Sequence, residues 1–276
     1  MKFKGSLFWC LVGCVVALPL VATSEEAGSV TEGDLKIDHG QVNWTDRNIT
    51  ATGSGAPDLK APNVAAARLG AERVAKLDAL RNILEALKGV HVNSEVTVEK
   101  EMVTEAKIRS KVEGLARNFK VLKTKYYSDG GVDLVVQMSL DGSVGSTLVP
   151  PGNKSDTVPA KGDAKHTGLI IDARGLKLLP ALSPKVQDES GGLIYSSELL
   201  DQKAMEVYGV AGYFKDIDGA KANKRVAPNP LVIKAMKLAD GSKTDLVLSK
   251  ADAAQLKDPA ANMKFLAEGK VILVVD

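Results

Sequence analysis

Three histidines, His39, His91 and His166, are the side chains of this 276-residue chain that titrate nearest neutrality. A metal site or an imidazole acid–base pair would need them to converge with carboxylates, yet no two stand at a ligand spacing. They read as solvated. Asp172, Asp188 and Asp276 fall near candidate strand ends, where the carboxylates of a hydrolase would also lie. They share no fixed spacing, so turn residues that end strands are the plainer reading and a carboxylate hydrolase is the alternative. Gly53-Ser54-Gly55, after a strand and before a helix, would let a backbone approach a pyrophosphate. Asp58 stands where the third glycine of that pattern belongs, and its charge would repel phosphate, so the glycines read as a turn. No catalytic residue, cofactor or metal is expected.

The opening of the chain says more about compartment than these residues say about chemistry. Lys2 and Lys4 precede an apolar run from Leu7 to Ala22, and Glu25 and Glu26 restore polarity. This is the pattern of a secretory signal peptide over residues 1–24. Without it the chain carries 34 basic and 34 acidic residues, a balance that implies no nucleic-acid partner. Both cysteines, Cys10 and Cys14, lie inside the apolar run, so ordinary cleavage near Ala22 or Ser24 leaves no thiol. Leu11-Val12-Gly13-Cys14 also has the form of a bacterial lipobox, and lipidation of Cys14 is the alternative that would tie the protein to a membrane. Against it, Val15 to Val21 stays apolar where such a leader turns polar. Asn43, Asn48 and Asn153 each begin an N-glycosylation pattern, which matters only in a host that uses it.

The elements around these residues divide the chain into a lead-in over 25–40, a first domain over 41–141, a linker over 142–167 and a second domain over 168–276. The longest helical signal runs from Asn63 to Lys88. Leu77, Leu80, Leu84 and Leu87, with Val74, make one apolar stripe that is expected to face the core. Ala67, Ala71, Ala75 and Ala79 recur every fourth residue and form a second packing line, where another backbone could approach closely. Asn63 is the expected N-cap and Gly89 the expected left-handed C′ residue. Alternation of Val90, Val92, Val96 and Val98 predicts a strand, and Thr104 is read as the cap of a short helix ending at Gly114. Phe119–Tyr127 and Val132–Leu140 flank Ser128-Asp129-Gly130-Gly131, a hairpin signal. Residues 142–167 are rich in Gly, Ser, Pro, Lys and Asp and read as flexible. Beyond them, short apolar runs at Leu169–Ile171, Val210–Phe214, Leu231–Leu238, Thr244–Leu248 and Val271–Val275 predict strands, with helices at Glu198–Val207 and after Ser249. Strands and helices mix without βαβ repetition, so the expected class is α+β.

The residues Gly53-Ser54-Gly55, Ala66-Ala67-Arg68, Ala71, Ala75, Asp78-Ala79, Asn82-Ile83-Leu84-Glu85, Gly89-Val90-His91-Val92, Gly114 and Asp129-Gly130 together resemble the twenty-kilodalton Lpp-type outer-membrane lipoproteins. Flagellar lipoprotein P belongs to that group, and the N-terminal domain of flagellar assembly protein T is similar. The resemblance covers roughly Val42 to Leu140. It implies a non-catalytic protein of the bacterial periplasm or outer-membrane periphery, whose partners are envelope or flagellar proteins or further copies of itself. A periplasmic module that binds a small molecule or cell-wall glycan near Tyr208, Tyr213 and Phe214 is the competing reading.

Overall fold

The computed structural model of the protein describes residues 34–37, 40–140, 142–149, 152 and 157–276. The N-terminal apolar run with Cys10 and Cys14, together with His39 and Asn153, lies outside the described residues. Two glycines and a row of alanines set the geometry of the first half. Strand β3 (Asn48–Gly55) turns Ile49, Ala51, Gly53 and Gly55 inward, and helix α1 (Val64–Lys88) lies across that face with Ala71, Ala75 and Ala79 fully buried. The approach is so close that a Cβ on Gly53 would stand 2.2 Å from the Ala75 carbonyl oxygen, and one on Gly55 1.9 Å from that of Ala71. Only glycine opposite alanine permits this separation.

Around β3 an antiparallel sheet forms in the order β1-β2-β3-β5-β4, from β1 (Asp34–Ile37), β2 (Gly40–Asn43), β4 (Lys120–Tyr126) and β5 (Val132–Ser139). The lead-in therefore contributes a strand, β1, that pairs with β2. The hairpin between β4 and β5 forms as its sequence predicts, with Gly130 at a φ of 92° and the Gly131 N–H donating to Asp129 Oδ1 at 2.9 Å. Because β2 stops opposite Ala51, residues 52–55 of β3 lack a strand partner on that side. Helix α1 substitutes for one: Asn82 Nδ2 donates to the Thr52 carbonyl at 2.7 Å, and the Ser54 N–H donates to Asp78 Oδ2 at 2.9 Å.

Three local expectations are corrected. The core face of α1 is the alanine line continued by Ile83, Ala86 and Leu87, whereas Val74 is 50% and Leu77 68% exposed, with Leu80 and Leu84 half-buried. A helix that approaches glycines closely must do so through its smallest side chains, so Val74 and Leu77 turn outward, while Leu87 is buried as expected and Leu80 and Leu84 pack at the margin of the core. The strand predicted over Val90–Val98 is instead a tight reversal. Asn93 Oδ1 accepts from the N–H groups of Glu95 and Val96, and the Val98 N–H donates to the Val90 carbonyl. Val90, Val92 and Val98 are buried, but an Asx turn folds the run back on itself. Thr97 caps an additional helix, α2 (Val98–Thr104), and the predicted one, α3 (Ala106–Ala116), has Glu105 rather than Thr104 at its N-cap position and runs on through Gly114. Asn63 does cap α1, its Oδ1 accepting from the Ala66 N–H at 2.8 Å, while Gly89 remains right-handed at φ −72°.

The described part of 142–167 is not an extended tether. Helix α4 (Ser143–Leu148) forms there, and Val144, Leu148, Val149 and Val158 are buried. Beyond it, a parallel sheet in the order β10-β6-β13-β9 combines β6 (Leu169–Asp172), β9 (Gly212–Phe214), β10 (Leu231–Lys234) and β13 (Val271–Val274). The central strands β6 and β13 are apolar runs because both of their faces are covered. Leu169, Ile171 and Leu273 enter the main core, and Ile170, Ile272 and Val274 pack with Ala220 of α6 (Ile217–Ala222). A second sheet, β11-β12-β7-β8, holds β7 (Val186–Asp188), β8 (Leu193–Tyr195), β11 (Lys237–Leu238) and β12 (Leu246–Leu248). The run predicted as one strand, Leu231–Leu238, is thus split between two sheets. Helices α5 (Gln202–Tyr208) and α7 (Lys250–Leu256) complete the half, the latter capped by Ser249 as expected. The protein is mixed α+β throughout.

Candidate functional site

Each carboxylate singled out in the sequence is already engaged. Asp172 closes β6 and receives Arg174 on both oxygens at 2.8 Å, and this guanidinium holds its carboxyl below the usual range. Asp276, next to it across β13, accepts from the N–H groups of Gly175 at 2.7 Å and Lys177 at 3.2 Å, so it fixes a turn. Asp188 lies on the other sheet. Lys257 donates to it at 2.8 Å, and Ser190 and Gly192 donate as well, which together hold its carboxyl well below the ordinary carboxylate value. Asp172 and Asp276 share a strand end with Arg174 beside them, and Asp188 is not brought to them. Asp172 and Asp188 are both held toward the charged form, the opposite of what a general acid would need.

His91 is half-buried and bridges to Thr97 and Ala181 through its backbone, and His166 is half-buried elsewhere. Among the described residues no group of three or more His, Cys, Asp or Glu side chains could hold a metal ion. The aromatic residues near 208–214 are held in packing contacts. Tyr213 is 2% exposed, and its hydroxyl donates to the Ala181 carbonyl and accepts from the Ala181 N–H. Tyr208 lies under the Arg225 guanidinium at 5.5 Å, and Phe214 packs beside the α6 cluster. Burial pushes the Tyr213 and Tyr195 phenols up. Gly53 and Gly55 seat a helix rather than a phosphate.

What remains unspent is the outer face of α1. Leu69, Val74 and Leu77 are each at least half exposed, and Leu80 and Leu84 continue the stripe along a shallow groove bordered by Arg81, Glu85 and Lys88. Arg81 and Glu85 pair with each other at 3.1 Å. Ala71, Ala75 and Ala79 meet β3 inside the molecule, and Ala67 sits half-buried a turn earlier. The outward leucines were legible in principle. Glycines in β3 and alanines every fourth residue in α1 already fix which face must be close-packed, and Leu69 and Leu77 fall away from it.

These features define a mixed α+β protein that, among the described residues, leaves an apolar helical face exposed on α1. Residues 168–276 match the family described as Treponema pallidum Tp0624, second domain. The matched stretch starts one residue before β6 and takes in both sheets of the second half. No curated protein matches the chain.

Proposed function

We propose that this is a non-catalytic, exported component of a bacterial envelope that works by binding another envelope protein through the outer face of α1. The observation that carries the reading is the exposure of Leu69, Val74 and Leu77 on one side of α1, since large apolar side chains clustered on one exposed face mark contact surfaces. Three further points support it. The strand-end carboxylates are each satisfied locally, the chain opens with an export pattern, and the first half resembles the Lpp-type lipoproteins and flagellar assembly proteins. The similarity of 168–276 to a Treponema protein domain also favours a bacterial setting.

The test compares the full chain with Leu69→Ser/Leu77→Ser after in vivo crosslinking in the source cells. The double variant should keep the wild-type circular dichroism and melting temperature, lose the crosslinked species, and fail to restore the phenotype of a deletion strain. Unchanged crosslinking and full complementation by the variant would overturn the proposal.

A further inference from the structure

A second unspent feature is the far edge of the first sheet. Strand β4 pairs with β5 and ends the sheet order there. Among the described residues, Lys120–Tyr126 make no backbone hydrogen bond beyond that pairing, so one row of N–H and C=O groups stays open to water or to another strand. Both faces are open as well. Helix α1 packs on β3 and β5 rather than on β4, and six of the seven residues of β4 are exposed.

The register sorts these side chains into two rows. Val121, Thr124 and Tyr126 stand opposite Val136, Leu134 and Val132, on the face that α1 covers further in, and the Arg68 guanidinium of α1 lies 5.5 Å from the Tyr126 ring centroid. Val121 and Tyr126 nonetheless remain 38% and 53% exposed. Lys120, Lys123 and Lys125 stand opposite Gln137, Val135 and Asp133, on the other face. In a regular strand Lys120 and Lys123, three apart, would point to opposite faces. The bulge at Leu122 brings them to one. Strands β3 and β5 contribute a single acid, Asp133, which stands beside Lys125 and already accepts from Ser54 and Tyr127. Lys120 and Lys123 have no acidic partner among the described residues.

A bulged, lysine-bearing edge deters pairing with its own kind. It does so here, because two antiparallel β4 edges would set this lysine row against its own copy. The same row favours an acidic strand, since opposite charges directly across a strand pair attract. We propose that β4 is the docking edge for an extended segment of a partner protein in which acidic and apolar residues alternate. The backbone of that segment continues the ladder, its carboxylates meet Lys120 and Lys123 on one face, and its apolar side chains cover Val121 and Tyr126 on the other.

Fluorescence anisotropy of the full chain with a labelled heptapeptide that alternates valine and glutamate tests this. The peptide should bind saturably with a Kd below ~1 mM and slow amide hydrogen exchange within Lys120–Tyr126. The same peptide with alternate amides N-methylated, which cannot complete a ladder, should bind at least tenfold more weakly, as should one with lysine in place of glutamate. Lys123→Glu should weaken the glutamate peptide at least tenfold, and the exposed position lets the variant fold normally. No saturable binding, equal affinity for the N-methylated peptide, which would reduce the contact to charge attraction, or indifference to Lys123→Glu would each overturn the proposal. Leu69→Ser/Leu77→Ser should bind the peptide as the wild type does, so this edge and the α1 contact surface fail separately.

Discussion

Asp188 shows how a side chain suited to chemistry is committed to structure. Its carboxylate gathers the Lys257 ammonium, the Ser190 hydroxyl and two backbone N–H groups around the turn between β7 and β8. These contacts favour the charged form, so its folded pKa lies below the unfolded value of about 3.9. A carboxyl depressed in this way contributes stability that is complete above the unfolded pKa and is lost as pH falls through the folded one. Lys257→Met should therefore lower the melting temperature at pH ~6, and the gap from wild type should narrow steadily as pH drops below ~4. A gap that stays constant over that range would show that Lys257 acts by packing alone. Its half-exposed ammonium makes a modest effect the expectation, because solvent screens such pairs.

The pairing of β3 with α1 carries the largest difference between what the residue pattern suggests and what forms. Periodicity alone identifies α1, its Asn63 cap and its length, but it ranks faces by hydrophobicity and so places Leu77 inward. Distance decides instead. With the Gly53 Cα so near the Ala75 backbone, only the alanine face fits, and a longer side chain there would push the helix off the sheet. Gly53→Ala should cost about 3 kcal/mol, since the two nearest atoms, the Ala75 carbonyl oxygen and the Ala79 nitrogen, are backbone and can shift only together. Leu77→Ser should change stability by less than about 0.5 kcal/mol, whereas Ile83→Ala on the true core face should cost about 2–5 kcal/mol. Urea unfolding of the three variants measures this order, and a costly Leu77→Ser would return the leucine stripe to the interior. The β4–β5 hairpin and the Ser249 cap were legible because their signals are local. The parallel pairing of β6 with β10 and β13 was not, because three- and four-residue apolar runs state burial without stating partners.

At the scale of residues 40–276, composition and packing point in different directions over 142–167. Its glycines, prolines and lysines suggest a tether, yet four of its apolar residues, Val144, Leu148, Val149 and Val158, are buried in the same core as Val42 and Val275. The halves on either side are also joined directly. The Leu182 and Ser183 N–H groups donate to the carbonyls of His91 and Val92 at 2.9 and 2.7 Å. Trp44 meets the edge of Tyr213 with ring centroids 5.4 Å apart. Arg47, from the turn after β2, reaches Gly209 so closely that a Cβ there would collide with its guanidinium. A core shared in this way unfolds as a unit, because exposing the junction costs each half the burial the other provides. Calorimetry should give one endotherm with a van't Hoff to calorimetric enthalpy ratio near ~1. Tyr213→Ala, which removes the ring at the junction, should lower that single transition by about 3–5 kcal/mol, in line with the loss of a buried aromatic, rather than split it. Two resolved endotherms in the wild type, or a variant in which only one of two transitions moves, would mean that the halves are stable independently and that the contacts at Trp44 and His91 are incidental to folding.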